Sequence, residues 1–480
     1  MNDGRRRASF LDAPELLADE MGRFARHEHR LEPHILERAE HPISRRDIDP
    51  DVLKVLYRLI QAGHLAYLVG GSVRDLMLGR RPKDFDVATG AHPQEIRDLF
   101  RNSRVIGRRF RLVHVFFGPK NIEVATFRKQ AEAVSIDDPI IRHDNTFGTP
   151  EEDAFRRDFT VNSLFYDPQT FRVIDYAGGV NDLRARLIRT IGDPELRMRE
   201  DPVRMLRAVR FAAKLGFEIE ATTLAAIEQH RCDLLKSSMP RVVEETFRTV
   251  GQTGAARALV LMEKLGLLEQ LMPWLSAHLK AEAVALENAR TVRGLAALGE
   301  TISTAVTPPR EVVLAAMFLD LQTLQNPVHA AATKNGAMFD LVGELRKRGF
   351  ARADTEIMRL IIEAFPHLMK PSRRTRKLMR RPYFENACRL FEIVASTYDA
   401  DTSALQRFLR DPQAYFEERP APSADSPPKR RRKRRRRRSK LATNDHSQNA
   451  NGMAESNLGD IEKESRPDSL PRPVISSKNE

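Results

Sequence analysis

GGSVRDLMLGRRPKDFDVAT, residues Gly70 to Thr89, is the stretch on which the reading of this chain turns. It follows AYLVG (Ala66 to Gly70), a short apolar run bounded by glycine that reads as a buried strand. Gly70 and Gly71 turn the chain, Ser72 is placed to cap a helix running to Met77, and Gly79 stops that helix. Asp84 to Ala88 reads as the next strand. Three pieces of phosphate chemistry then lie in order. The Gly70-Gly71 turn leaves backbone N–H groups at a helix start free to hold a triphosphate. Arg74 follows in the first turns, where a guanidinium forks onto phosphate oxygens. Asp84 and Asp86, two apart on a strand, point to one face. They would repel there unless they shared cations, and Mg²⁺ suits such hard oxygen donors. A lone pair of aspartates is commonly just a surface pair, and Gly-Gly is commonly just a turn. Their succession within 17 residues is what favours chemistry.

Outward from this stretch the pattern is mixed. Asp49-Pro50 opens a helix over Asp51 to Gln61, with Val52, Leu53, Leu56 and Ile60 at helical spacing and Gly63 as its stop. Pro93 opens another, to Phe100. Arg111 to Phe117 and Ile122 to Phe127 read as a hairpin across Gly118-Pro119-Lys120-Asn121. Glu123, on the second of these strands, is the candidate third carboxylate of a two-metal site, or else an exposed edge residue. Val173 to Asp175 and Leu187 to Ile191 are further strand candidates. From about 200 to 418 the apolar spacing is helical, as in Met205 to Leu215, Val242 to Val250, Ala255 to Leu265, Val312 to Leu319 and Met358 to Ala364. Residues 1 to 45 read as a loosely ordered lead-in. From Arg419 the chain turns Pro-, Ser- and Asp-rich, then basic, then polar, and is expected to be disordered.

The charge is placed unevenly. The net charge is +13 over 480 residues, and Lys429 to Arg438 are ten consecutive Lys or Arg, so the remainder carries 13 − 10 = +3. Such a run repels itself and seeks a polyanion. Nucleic acid fits, because neutralised phosphates release counterions; the bland alternative is a solvating tail. No apolar run approaches the roughly 20 residues needed to span a bilayer, and the N-terminus shows no secretory pattern. Two distant cysteines, Cys232 and Cys388, suit a reducing compartment, so a cytoplasmic location is expected.

Four blocks in order, LVGGSVRD (Leu68 to Asp75), KDFDVAT (Lys83 to Thr89), RRDFTVNSL (Arg156 to Leu164) and EDPVRMLRAVRFAAKLGF (Glu200 to Phe217), resemble the class II nucleotidyltransferases of the DNA polymerase β superfamily. That family comprises tRNA CCA-adding enzymes and bacterial poly(A) polymerases. The resemblance implies an α+β fold: a polymerase β-like nucleotidyltransferase head over 46–199, a helical nucleotide- and RNA-binding neck over 200–265, a helical body over 266–418 and an arginine-rich tail over 419–480. It implies that Asp84 and Asp86 hold two Mg²⁺ ions, that Asp158 belongs to the active site and reads a ribose hydroxyl, and that Arg157 lies near the phosphates. Asp201 and Arg204 would face the base of the incoming nucleotide, with Arg207 and Arg210 on the same helix. The implied activity is template-independent addition of AMP from ATP to RNA 3′ ends, with release of pyrophosphate.

VIGRRFRLVHVFFG (Val105 to Gly118) is similar to a segment that marks the poly(A) branch. Alternation in Arg109-Phe110-Arg111-Leu112 puts arginines on one strand face, where they could meet RNA or phosphate; Arg108, Arg109 and Arg111 are candidate RNA contacts, as are Lys429, Arg430 and Arg431 in the tail. His114 reads as a hydrogen-bonding histidine of the core at least as well as a catalytic one. A CCA-adding enzyme, and an RNA-binding or chaperone-like protein with an inactive site, stand as alternatives. Oligomeric state and any partner among RNA-decay or RNA-chaperone proteins are left open. A phosphohydrolase of the His-Asp type finds no support in the helical region.

Overall fold

The computed structural model describes residues 32–107, 111–129, 146–282, 285–302, 307–323 and 340–417. Arg108 and Arg109, most of the segment between Lys129 and Arg142, and the tail with Lys429, Arg430 and Arg431 lie outside the described residues.

The N-terminal half supplies ten strands: β1 (His34–Leu36), β2 (Ala66–Val69), β3 (Asp86–Thr89), β4 (Ser103–Ile106), β5 (Leu112–Phe117), β6 (Lys120–Thr126), β7 (Phe165–Asp167), β8 (Arg172–Asp175), β9 (Leu187–Ile188) and, beyond the first long helix, β10 (Glu218–Ile219). Eight form one mixed sheet in the order β1-β8-β7-β2-β3-β6-β5-β4. Every pairing in it is antiparallel except β3 with β6. The last two strands pair in parallel as a separate ribbon.

The helix Pro50–Gln61 forms as its ends dictate. Asp49 accepts from the Asp51 N–H at 2.9 Å, Pro50 fills the first turn, and Val52, Val55, Leu56 and Leu59 make the buried stripe. It packs on β2 and belongs to the main core. A smaller cluster on the other face of the sheet joins Val69, Ala88, Phe127, Ala154 and Phe165.

Three expectations are corrected. The strand expected over Asp84 to Ala88 begins only at Asp86, and Asp84 lies in a bend before it. The reason is pairing: Asp86 faces Val69, the last residue of β2, and the chain turns away at Gly70. Ser72 does not cap its helix; Gly70 occupies that position, and the Ser72 hydroxyl donates back to the Val69 carbonyl at 2.9 Å. Within the lead-in expected to be loose, His34–Leu36 pairs with β8 at the sheet edge.

Beyond residue 200 the described chain is helical apart from β10. Long helices at Val203–Leu215, Met239–Val250, Ala255–Lys264, Arg290–Glu300, Arg310–Thr323, Arg352–Met369 and Phe384–Val394 continue the apolar core that begins at Leu36 and ends at Phe408. A polar cluster with a buried centre ties three helices, Pro273–Glu282, Arg290–Glu300 and Arg310–Thr323. His278 meets Asp320 at 2.9 Å, Glu282 lies 3.7 Å from His278, and Arg290 reaches both acids. Among the described residues, no helix is long and apolar enough to cross a membrane.

Candidate active site

Strand register brings the site to one end of the sheet. Asp86 is directly opposite Val69 on β2 and directly opposite Glu123 on β6. Residues in register point to the same side of a sheet, so Asp86 and Glu123 share a face. Val69 also faces Phe165, and the Gly70 N–H donates to the Leu164 carbonyl at 3.1 Å. The Gly-Gly turn, the acidic strand end and the RRDFTVNSL segment therefore meet.

Gly70 has φ +72°, and a β-carbon there would sit 3.1 Å from an Arg157 guanidinium nitrogen. The backbone conformation thus calls for glycine, and a side chain there would press on the arginine beside it. Asp153 anchors Arg157 with bonds of 3.0 and 2.7 Å, and it also receives Arg156. Burial alone would raise the Asp153 pKa; the two guanidiniums hold it below the ordinary value. Arg74, only 3% exposed, donates from Nε and a terminal nitrogen to Asp75 and from its other terminal nitrogen to Asn162. Part of its fork is therefore structural.

Asp86 is solvent-accessible by area but crowded around its carboxylate. Desolvation, then the charge of Glu123, push its pKa up to about 6, with Asp84 adding to the rise and Arg157 opposing it. Carboxylates that resist ionising together, all with hard oxygen donors, are the chemistry that suits a divalent cation. Asp84, Asp86 and Glu123 do not close to within 4.8 Å of one another as a set. Among the described residues that spacing is met by His278, Glu282 and Asp320. Glu123 also lies 3.4 Å from His114, whose ring engages Asn121 at 3.0 Å.

The second wall of the site is the arginine-rich helix Val203–Leu215. Arg207 pairs with Asp158 through Nε at 2.7 Å and a terminal nitrogen at 2.6 Å. The other Asp158 oxygen accepts from the Phe159 N–H at 2.9 Å and from Asn162 at 3.1 Å. Four donors occupy the roughly four lone-pair sites of that carboxylate. Burial opposes its charge, but Arg207 and Asn162 hold its pKa down to about 2. Asp158 thus holds Arg207 through one oxygen and Asn162 and the Phe159 N–H through the other.

Glu200 bridges Arg197 at 2.8 Å and Arg204 at 3.1 Å. Arg197 donates onward to the carbonyls of Arg156 and Arg157, locking the helix approach to the RRD segment. Asp201 is held in a two-pronged pair by Arg241, at 3.1 and 2.8 Å. A cleft of about 370 Å³ opens beside it, lined by Val203, Arg207, Pro240, Arg241, Glu244, Glu245 and Arg248. Its size suits a small ligand. Arg210 is turned to Glu245 and stacks over Phe211.

Asp84, Asp86, Glu123, Gly70, Gly71, Arg74, Arg157 and Asp158 therefore gather at one sheet end, and Asp201, Arg204 and Arg207 on the adjoining helical wall. Arg111 stands exposed at the head of β5, its carbonyl accepting from Arg128. Asn162, Asp153, Arg197, Glu200 and Arg241 were not foreseen. Asn162 and Glu200 lay inside quoted blocks, whereas the others carried no local signal beyond their charge.

The family model described as "Poly A polymerase head domain" matches residues 66–189, and "Probable RNA and SrmB- binding site of polymerase A" matches residues 216–279. Poly(A) polymerase I of Salmonella typhimurium is 49% identical over 258 residues, covering 51% of this chain and 55% of that protein. Its namesake in Haemophilus influenzae is 40% identical over 298 residues, covering 60% and 66%. The chain thus spans little more than half the length of the first of these relatives. A crystal structure of the Bacillus stearothermophilus CCA-adding enzyme in complex with CTP superposes with a TM-score of 0.57 at 29% identity, covering 77% of this chain and 83% of that one. The head fold, the gathered acids and these likenesses agree: the chain belongs to the nucleotidyltransferase family of the bacterial poly(A) polymerases.

Proposed function

We propose that this chain is a polynucleotide adenylyltransferase that adds AMP from ATP to RNA 3′ ends without a template and releases pyrophosphate. The observation that carries the reading is the register of Asp86 with Glu123 beside the Gly70 turn, faced by the Asp158–Arg207 pair. The division of labour follows: a catalytic head over 46–199, a nucleotide-binding neck over 200–265 and a helical body over 266–418.

Asp84 and Asp86 would hold the divalent cations, for which we propose Mg²⁺, with Glu123 completing the acidic face; so bound, the ions would polarise the reacting phosphate and the RNA 3′-hydroxyl. The chain's own groups position the reactants. Backbone N–H groups after Gly70 and the guanidiniums of Arg74 and Arg157 face the triphosphate. Arg207, oriented by Asp158, adds fixed positive charge at the boundary between head and neck. Asp201 and Arg204 present acceptor and donor groups to the base, and Arg241 sets the angle of the first. No nucleic-acid template enters this pocket in the proposal, so base choice is made by side chains alone.

The deciding experiment incubates one RNA oligomer that is not a tRNA with each of the four nucleoside triphosphates separately. Long ladders with ATP alone are expected. No extension of that oligomer, with a few C and A residues added to a tRNA in a parallel reaction, would instead establish a CCA-adding enzyme. That reading is favoured by the likeness to the CTP-bound structure, but the relatives called poly(A) polymerase I are more similar in sequence.

A further inference from the structure

A row of side chains crosses four strands at the candidate active site. Register sets Arg104 of β4 opposite His114 of β5, His114 opposite Glu123 of β6, and Glu123 opposite Asp86 of β3. Residues in register share a face of the sheet, so His114 stands beside the acids on their own side. We propose that His114 is a positioning residue: its Nε2–H holds the Glu123 carboxylate in the row, where that carboxylate joins Asp86 on a divalent cation. The proposal rests on the cation site proposed above and deepens it, and its main readout is cation binding without turnover.

Glu123 needs such a hold. Its side chain is 49% exposed, and among the described residues its ion-pair partner is His114, whose Nε2 lies 3.4 Å from Oε1. A long side chain so exposed samples several rotamers; a contact on one oxygen limits them and leaves the other oxygen for the cation. Glu123 and Asp86 also feel each other, since desolvation and then the charge of Glu123 raise the Asp86 pKa. Repulsion alone would turn the two carboxylates apart. His114, by contrast, is itself held. Its side chain is 17% exposed, its ring stands edge-on to Phe116 at 6.3 Å, and Asn121 Nδ2 lies 3.0 Å from Nδ1. Phe116 and Asn121 face each other across the same hairpin, so the strands that carry His114 and Glu123 also carry these anchors.

A histidine in a cross-strand pair is often only a packing residue. The hydrogen bonding of its ring favours more here. The Asn121 amide nitrogen donates to Nδ1, so the proton of the ring lies on Nε2, the nitrogen that faces Glu123. A donor, not a lone pair, is therefore turned toward the carboxylate. A separation of 3.4 Å is long for a hydrogen bond, but contacts around a reacting centre commonly shorten once substrate and cation bind. Partners of this kind fix the direction of a ligating oxygen, and their loss weakens metal binding by about ten- to a hundredfold.

The test uses the full chain with His114→Phe, His114→Leu and His114→Gln, and Mn²⁺ as the probe. Phe and Leu keep an apolar body on the strand without the donor, and the Gln amide nitrogen restores a donor. Mn²⁺ binding is followed by electron paramagnetic resonance with α,β-methylene-ATP, which cannot release pyrophosphate. Affinity for Mn²⁺ should fall about tenfold in the Phe and Leu variants and stay within about twofold of wild type in the Gln variant. A packing role predicts the reverse order, because Phe suits a strand better than Gln does. Thermal unfolding shows that each variant is folded. AMP addition by the Phe variant should be weak at limiting Mg²⁺ and recover at saturating Mg²⁺. Wild-type Mn²⁺ affinity in the Phe and Leu variants overturns the proposal, as does a Gln variant as weak as they are. Glu123→Gln should lose affinity as well; if it binds Mn²⁺ as wild type does, the role of His114 falls while Asp84 and Asp86 keep the cation site. If the affinities follow the expected order but wild-type protein adds no AMP to RNA, the transferase reading falls and the role of His114 stands.

Discussion

Asp158 and Arg207, 49 residues apart, join the strand-bearing head to the arginine-rich helix through two bonds to one carboxylate oxygen, at 2.7 and 2.6 Å. The pair is mostly buried, with the Asp158 side chain 11% exposed and that of Arg207 30%. Removing Arg207 would strand a buried carboxylate. Arg207→Ala is therefore expected to cost about 3 kcal/mol of stability, while the double variant with Asp158→Asn recovers part of it. Denaturant midpoints of the four proteins check this; additive losses would refute the coupling.

The same pair sets an acid limit. The Asp158 pKa is held at about 2, below its ordinary 3.8. A depressed carboxylate contributes stability that is whole above 3.8 and lost as pH falls through 2. The contribution is about 2 kcal/mol. Asp158→Asn should flatten the stability profile between pH 4 and pH 2. An unaltered profile there would show that the carboxylate is not so held.

Asp84→Ala and Asp86→Ala should each abolish AMP addition and leave oligo(A) affinity within about twofold, since the cations act on reacting groups rather than on the RNA backbone. Retained turnover in either variant removes that residue from the metal site.

Arg241→Ala frees the Asp201 carboxylate from its two-pronged clamp. The ATP-over-CTP preference in kcat/KM should fall by about 1–3 kcal/mol, the worth of one bidentate discrimination. Arg241→Lys keeps the charge without the fork and should fall between. Competition assays with mixed nucleotides read this directly, and an undiminished preference would detach Arg241 from base choice.

Gly179→Ala probes the support beneath the RRD segment. A β-carbon there would lie 2.2 Å from the Thr160 carbonyl oxygen, a backbone atom held in place by the packed 3₁₀ turn. Overpacking of this kind costs about 1–3 kcal/mol. Thermal unfolding should show the loss, and an unchanged Tm would mean that this turn yields freely.

Deleting Lys429 to Arg438 removes ten cations from the chain and should weaken RNA binding and flatten its salt dependence. Titration of oligo(A) at several salt concentrations measures this, and a slope insensitive to the deletion would reduce the run to a solvating tail.

Nearest-neighbour physics is written along the chain, and so much of the head was legible without coordinates. An apolar run ending in Gly70 had to turn, Asp49-Pro50 had to start a helix, and alternating apolar residues had to make β5 and β6. The family blocks carried the gathering of Asp84, Asp86 and Asp158. The tertiary structure decided which distant charges meet. Asp86 lies against Glu123 because β3 and β6 pair in parallel. Asp158 is taken by Arg207 and Asp201 by Arg241, because apolar helix faces must bury and so carry those arginines to the acids. Periodicity states which face of an element is buried but carries no distance to another element. A buried charge takes its partner from whatever packing brings within reach.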